Sequence, residues 1–148
     1  MDDAFCGGPD GDSLIVTDAT IPADIISRIA ALIWMGDPRN VPGLPYNVGN
    51  ATAGGVSPLL RSSPLLWPGQ RIQRHTHEER SLRADRRDPQ FAARPSGFNC
   101  PNFSGMIQSY CDDPDPFCAK GNDTATHQGY GQVYGQDALA FVQSKLGA

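Results

Sequence analysis

The stretch Arg-Ile-Ala-Ala-Leu-Ile-Trp-Met at residues 28–35 decides the fold class. From its second residue onward it is apolar, without the polar alternation of a strand that has one face in water. Continuous apolar runs of this length are typical of strands buried on both faces, as in parallel sheets covered by helices. The turn sequence Gly36-Asp37-Pro38 follows the run and ends it. The stretch therefore predicts a buried strand in an α/β fold.

The segment before this strand predicts a short helix. Residues 20–24 (Thr-Ile-Pro-Ala-Asp) have the composition of a helix start, with Thr20 as the cap and Pro22 inside the first turn. The helix must be short because the buried strand begins a few residues later.

The segments after it predict a second strand and a closing helix. Gly105–Tyr110 has the composition of a weaker strand, which leads into a loop bracketed by Cys111 and Cys118. Residues 136–146 carry apolar residues at helical spacing, and Gly147 suits the end of a helix. The predicted apolar face of that helix consists of Leu139, Val142 and Leu146, with Ala138 and Phe141 beside it. Together these elements indicate an α/β architecture.

Length and charge exclude several classes of protein. The chain has 148 residues, which corresponds to one domain. Its 16 glycines and 13 prolines indicate many loops. The net charge of −4 argues against a nucleic-acid-binding protein, which needs a basic face. No apolar run approaches the roughly 18 residues of a membrane span, so neither nucleic acid nor membrane is an expected partner.

Cysteines and sequons are typical of a secreted protein. The four cysteines form an even set without a C-x-x-C pair, which argues against a zinc ribbon or a thioredoxin motif. Three N-x-S/T sequons begin at Asn50, Asn102 and Asn122, and we regard these as candidate glycosylation sites. The first residues have neither the basic nor the apolar region of a signal peptide.

Residues 56–90 differ in composition from the rest of the chain. They hold seven arginines, both glutamates and two of the three histidines. Three interpretations compete: a metal site built from His75-Thr76-His77-Glu78-Glu79, an arginine-rich patch that binds nucleic acid or an anionic surface, and a non-native, disordered insert. The histidine cluster lacks a recognised metal-ligand spacing such as H-E-x-x-H, and no aromatic residue is interleaved with the arginines after Trp67. We therefore expect an insert at residues 56–90.

One histidine and one aspartate outside that segment have the residue types needed for acyl transfer. His127 lies in the glycine-rich sequence Thr-His-Gln-Gly-Tyr-Gly, which we expect to form a loop. Asp115 lies between two prolines, inside the span from Cys111 to Cys118. A carboxylate held on a stiff loop can orient an imidazole and stabilise the imidazolium, as a catalytic triad requires. Spacing alone leaves Asp112 and Asp113 as competitors for this role.

Several sequence blocks in the same order resemble the C-terminal half of the cutinase and acetylxylan esterase family. The resemblance covers residues 1–55 and 91–148, and is closest to acetylxylan esterase. The blocks are M-D-D-A-F-C-G-G (1–8), I-A-A-L-I-W-M-G-D-P (29–38), F-A-A-R-P-S-G-F-N-C-P (91–101), S-Y-C-D-D-P-D-P-F-C (109–118), T-H-Q-G-Y-G (126–131) and A-L-A-F-V-Q-S-K-L-G (138–147).

The resemblance implies a three-layer α/β-hydrolase-like sandwich with a parallel sheet and a secreted serine esterase with the triad order Ser, Asp, His. Asp115 matches the family's triad aspartate and His127 its triad histidine. Cys111 and Cys118 match the disulfide that flanks this aspartate, and Cys6 and Cys100 match a second bridge.

Two departures from the family pattern lead to further expectations. The family's serine lies in a G-Y-S-Q-G elbow, and no G-x-S-x-G occurs in the 148 residues. Met1 therefore resembles an internal methionine of a longer protein, and we expect residues 1–148 to be an N-terminally truncated, partial domain. Removing residues 56–90 restores the family pattern without a gap. Val56 and Gln90 allow GT and AG ends, so the 35 codons resemble a translated intron.

The expected function is a secreted serine esterase that acts through an acyl-enzyme, with no metal or organic cofactor. The polar segment between Cys118 and His127 favours an acetylated polysaccharide such as acetylxylan as the substrate. The alternatives are a cutinase that acts on cutin-type polyesters and a catalytically inactive fragment. We expect a monomer, and no esterase activity from the 148 residues alone because the serine is absent.

Overall fold

A computed structural model describes residues 2–9, 16–19, 21–55, 94–100 and 103–147. In chain order its elements are α1 (Asp2–Cys6), β1 (Gly8–Pro9), β2 (Val16–Thr17), α2 (Ala23–Ile26), β3 (Leu32–Met35), β4 (Asn47–Val48), a 3₁₀ turn (Ser104–Met106), β5 (Ile107–Tyr110) and α3 (Thr124–Leu146). The expected insert at residues 56–90, with its histidine cluster, lies outside the described residues.

A three-stranded parallel sheet is the centre of the described structure. Its strand order is β3-β5-β4, so β5 lies between the other two. Leu32 pairs with Ile107 and Met35 with Tyr110, while Val48 pairs with Tyr110 from the other side. All three carboxyl ends therefore lie at one edge of the sheet, where ligands bind in α/β proteins. The parallel sheet with helices confirms the predicted α/β fold.

Both predicted strands are shorter than expected at their N-terminal ends. Residues 28–31 do not join the sheet, because the amides of Arg28 and Ile29 continue the turns of α2 by bonding to the carbonyls of Ile25 and Ile26. The first residues of the predicted Gly105–Tyr110 strand instead form the 3₁₀ turn, in which the Met106 amide bonds to the Phe103 carbonyl at 2.9 Å. Local turns with satisfied hydrogen bonds thus replace the N-terminal ends of both predicted strands.

The helix predicted from residues 20–24 begins later than expected. Pro22 lies at the N-cap in an extended conformation, with ψ near 146°, and not inside the first turn. Its carbonyl accepts from the amides of Ile25 and Ile26, so α2 starts at Ala23. Thr20, the expected cap, lies outside the described residues.

Helix α3 is twice as long as its sequence pattern predicts, and this corrects the expected position of His127. The helix starts at Thr124, so His127 lies in its first turn and not in a loop. Asp123 caps it: one carboxylate oxygen accepts from the Ala125 amide at 3.0 Å and the other from the Thr126 hydroxyl at 2.8 Å. Gly147 ends the helix with φ of 73°, as predicted.

The face that α3 buries also differs from the predicted one. Tyr130 and Ala138 are buried and pack in a cluster with Tyr110 and both cysteines of the Cys111–Cys118 bridge. By contrast, Leu139 and Leu146 are 49% and 66% exposed. Aromatic rings provide larger contact areas than leucines, and the tyrosines of the N-terminal half therefore determine which face of α3 contacts the sheet.

A second cluster of buried residues lies around β3 and α1. Its members are Phe5, Leu32, Trp34, Tyr46, Cys100 and Ile107. Cys6 is bonded to Cys100 across 94 residues of sequence, and Cys111 to Cys118 across seven, which is the pairing that the resemblance implies. Among the described residues, no helix has the length and apolar character needed to cross a membrane.

Candidate catalytic site

The candidate site begins where β5 ends, in the loop of residues 111–118, which we call the disulfide loop. Cys111 follows β5 directly, and its bond to Cys118 closes the loop. Within the loop the Asp115 amide bonds to the Asp112 carbonyl at 3.0 Å, and the Asp115 carbonyl accepts from the Gly121 amide at 3.1 Å. The backbone on both sides of Asp115 is therefore fixed by covalent and hydrogen bonds.

The Asp115 carboxylate is fully buried, and its two oxygens have different partners. Oδ1 accepts from the backbone amides of Phe117 at 2.6 Å and Cys118 at 3.3 Å. Oδ2 lies 2.9 Å from Nδ1 of His127. Since a buried carboxylate is costly without partners, the two amides stabilise it. They also orient it, so that the other oxygen points to the imidazole.

His127 approaches Asp115 from the first turn of α3. Its ring packs against Phe117 with the ring centroids 4.4 Å apart, and its side chain is 34% exposed. The carboxylate favours the tautomer with the proton on Nδ1, which leaves Nε2 as an acceptor. Within the described part of the chain, no side chain forms a hydrogen bond to Nε2. The imidazole thus has one nitrogen held in the protein and one available to a reactant.

Gly36, at the end of β3, makes room for this imidazole. Its φ is +68°, and an added Cβ would lie 2.5 Å from Nδ1 of His127 and 3.1 Å from the Tyr130 ring. A side chain at this position would therefore collide with the histidine, and the backbone conformation itself favours glycine. The turn after the predicted strand contributes directly to the position of His127.

Asp115 differs from the other two aspartates of the loop in its hydrogen-bond partners. The Asp112 carboxylate accepts from the Tyr134 hydroxyl at 2.9 Å and from the Asn50 amide at 3.1 Å. The Asp113 carboxylate accepts from the amide of Thr52 at 2.7 Å and from its hydroxyl at 3.0 Å. Of the three, only Asp115 bonds to His127. Asp112 and Asp113 instead fix the segment 50–52 beside the disulfide loop.

Sequence reasoning missed two tyrosines of α3 that contact the disulfide loop. The Tyr130 hydroxyl accepts from the Asp112 amide at 2.9 Å, and burial raises the pKa of this phenol. Burial and the bond to the Asp112 carboxylate raise the pKa of Tyr134 to about 12. Their spacing of three and seven residues from His127 identifies them as one helical face. The spacing of these tyrosines could have been used only if the sequence had predicted a helix from Thr124 onward.

Two of the three candidate glycosylation sites lie among the described residues. Asn50 is exposed, with its side-chain carbonyl accepting from the Asp113 amide at 2.8 Å, and Asn122 is exposed just before α3. Asn102 lies outside the described residues. The described ranges contain no group of three or more His, Cys, Asp or Glu side chains arranged to hold a metal ion.

Comparisons with known proteins agree with this architecture. The family model described as Cutinase matches residues 1–146. An acetylxylan esterase of Hypocrea jecorina is 42% identical over 147 residues, which span 99% of this chain and 37% of the relative. Cutinase 11 of Verticillium dahliae is 43% identical over 147 residues, covering 99% of this chain and 38% of the relative.

A solved structure shares the fold. The catalytic core domain of acetyl xylan esterase from Trichoderma reesei superposes with a TM-score of 0.66 at 41% identity, covering 97% of this chain and 53% of that domain. The chain thus spans less than half of the two curated relatives and about half of the solved domain.

Proposed function

The chain belongs to the cutinase family, and on this premise we propose that it contributes the histidine and aspartate of a serine carboxylic ester hydrolase. The observation that carries the proposal is the 2.9 Å hydrogen bond between the buried Asp115 carboxylate and Nδ1 of the part-exposed His127. This geometry meets the requirement of a triad, in which the carboxylate sets the tautomer and Nε2 acts on the nucleophile.

In the proposed reaction His127 moves protons between a serine, the leaving alcohol and water. Nε2 takes the proton of the serine hydroxyl as its oxygen attacks the ester carbonyl, and Asp115 stabilises the imidazolium. The proton is then given to the leaving alcohol as the ester C–O bond breaks, which leaves an acyl-serine. A water molecule, deprotonated in the same way, hydrolyses the acyl-serine and releases the acid.

We propose that the serine lies outside these 148 residues. They contain no G-x-S-x-G elbow, and in the described part of the structure no serine hydroxyl bonds to His127. A triad acts as a unit, and its loss costs about 10⁶-fold in kcat. Residues 1–148 by themselves are therefore expected to be a partial, inactive domain.

The proposed substrate is an acetylated polysaccharide such as xylan. The segment between Cys118 and His127 is mostly polar, and its residues Lys120, Asn122, Asp123 and Thr124 are exposed. Such a surface suits a hydrated sugar better than the long acyl chain of a cutin-type polyester. Two curated relatives named acetylxylan esterase agree with this choice. In the active enzyme, hydrolysis of p-nitrophenyl esters is expected to decrease from acetyl to longer acyl chains.

We also propose that the enzyme is secreted. Its four cysteines form two disulfides, and no free cysteine occurs in the chain. Such bonds persist in oxidising compartments outside the cytosol.

The test compares the 148-residue protein with the polypeptide encoded by the complete transcript of its locus. The longer polypeptide is expected to carry the elbow and to hydrolyse p-nitrophenyl acetate, and Asp115→Asn is expected to reduce its kcat about 10⁴-fold. The 148-residue protein is expected to show no turnover above buffer and no labelling by a fluorophosphonate. A transcript without an elbow would contradict the esterase proposal and support an inactive fragment. Turnover by the 148 residues that disappears in His127→Ala would contradict the proposed location of the serine.

A further inference from the structure

Tyr130 lies one helical turn beyond His127 on α3 and is 2% exposed. Its ring is nearly perpendicular to the imidazole, with the centroids 6.4 Å apart, and it also stacks on the Tyr134 ring. The Tyr130 ring therefore packs against the His127 imidazole.

The Tyr130 hydroxyl contacts both ends of the disulfide loop. It accepts from the amide of Asp112, the second residue of the loop, at 2.9 Å. It also lies 3.3 Å from Sγ of Cys118, the last residue. That sulfur is in a disulfide and has no proton, so in this contact the hydroxyl is the donor. A single oxygen on α3 thus bonds to the start and the end of the loop that carries Asp115.

The hydroxyl keeps its proton throughout the pH range of ester hydrolysis. Burial raises the pKa of this phenol, and the bond from the Asp112 amide lowers it by less. The side-chain interaction with Asp115 and the charges of Asp115 and Asp112 raise it further. Its two contacts therefore do not depend on pH between acid and mildly alkaline conditions.

We infer that Tyr130 is a positioning residue that holds the disulfide loop on α3, and so keeps the Asp115 carboxylate at hydrogen-bond distance from His127. His127 and Tyr130 are on one rigid helix, whereas Asp115 is on the loop. The distance between carboxylate and imidazole therefore depends on how firmly loop and helix are joined. The catalytic use of this distance rests on the proposed function, but the distance itself is a property of the chain.

Tyr130→Phe removes the hydroxyl and keeps the ring, and Tyr134→Phe is the matched control. Tyr134 is on the same helix, and its hydroxyl bonds to the Asp112 carboxylate at 2.9 and 3.0 Å. In the described structure that hydroxyl contacts neither Cys118 nor Asp115. Both variants therefore lose one tyrosine hydroxyl that bonds to the same aspartate, but only Tyr130→Phe releases the end of the loop.

The measurement is NMR of the His127 imidazole in the complete 148-residue chain. In the unsubstituted protein and in Tyr134→Phe, the ¹⁵N shifts are expected to show one tautomer, with a slowly exchanging proton on Nδ1. In Tyr130→Phe, the Nδ1 proton is expected to exchange on the order of tenfold faster, as for the loss of one buried hydrogen bond, and the tautomers are expected to mix. An unchanged imidazole in Tyr130→Phe would overturn the inference, and so would an equal change in both variants.

If Tyr130→Phe does not fold, the unsubstituted chain still provides a test. The Asp112 amide bonds to the Tyr130 hydroxyl, so it is expected to exchange through the same opening as the Nδ1 proton of His127, with the same opening constant. An Nδ1 proton that exchanges while the Asp112 amide stays protected would overturn the inference. None of these readouts requires turnover. A longer polypeptide that fails to hydrolyse esters would therefore contradict the proposed function without affecting the role of Tyr130.

Discussion

The contact between Gly36 and His127 joins the end of a strand to the first turn of a helix. The missing side chain at Gly36 allows the imidazole to approach the backbone closely, with its Nδ1 directed at Asp115. Because φ at this residue is positive, any other residue would cause both backbone strain and a steric collision.

Gly36→Ala is expected to lower the free energy of unfolding by about 1–3 kcal/mol and to displace His127 from Asp115. Gly43→Ala is the control, because its φ of +82° carries the same backbone cost but an added Cβ would have no atom within 4 Å. Thermal unfolding and the NMR signal of the Nδ1 proton measure the two effects. If both variants lose equal stability and retain the proton signal, the close approach has no role in positioning His127.

Single side chains also determine which of the three aspartates in the disulfide loop bonds to His127. Asp112 and Asp113 bond to residues 50–52, which are more than 60 positions away in sequence. Such long-range partners leave no mark in the local pattern, so spacing alone did not separate these residues from Asp115. The resemblance to a family, by contrast, selected the residue that lies beside His127.

At the scale of elements, the glycines of α3 explain why only half of this helix was predicted. Gly129, Gly131 and Gly135 each cost about 1 kcal/mol of helix propensity relative to alanine. The cap at Asp123 and the burial of Tyr130 offset this cost, but burial is a tertiary effect that a local pattern does not contain. β3 was predicted correctly at its C-terminal end, because its apolar run and the turn that follows it are themselves the signal.

The cap of α3 is expected to weaken in acid. Hydrogen bonds from Thr126 and Ala125 lower the pKa of Asp123 below its ordinary value of 3.8. A folded-state pKa below the unfolded one contributes stability that is present above the unfolded value and lost as the pH falls through the folded value. Asp123→Asn retains an acceptor without a charge.

Thermal unfolding of both proteins between pH 6 and pH 2 tests this expectation. The stability advantage of the unsubstituted protein over Asp123→Asn is expected to shrink as the pH falls below 4. A difference between the two melting temperatures that does not change with pH would mean that the Asp123 charge contributes nothing to the cap.

At the scale of the whole molecule, the two disulfides close loops of very different length. In the chain-entropy model the stabilisation grows with the number of residues enclosed. The separations of 94 and seven residues correspond to about 4.7 and about 2.5 kcal/mol.

Removing one bridge at a time is expected to show that the longer loop contributes more stability. Cys6→Ala with Cys100→Ala is expected to destabilise the chain more than Cys111→Ala with Cys118→Ala, as measured by urea unfolding. Only the second pair is expected to alter the NMR signal of His127, because only that bridge closes the loop of Asp115. The reverse order of stabilities would contradict the entropic argument.

The composition of residues 56–90 leads to a prediction at the level of the gene. The 35 codons are expected to be absent from the main spliced transcript of the locus, because the composition they encode differs from that of the rest of the chain. Sequencing of complementary DNA across codons 55–91 measures this directly. A major transcript that retains these codons would contradict the interpretation as a translated intron.

The disulfide between Cys6 and Cys100 also closes residues 6–100 into a covalent ring. Hydrolysis of any one peptide bond within that ring would leave both products attached to each other. A cut between residues 36 and 100 would leave Gly36 on one product and Asp115 with His127 on the other. A nicked molecule would therefore migrate as one species until it is reduced, and its candidate catalytic pair would remain on a single polypeptide.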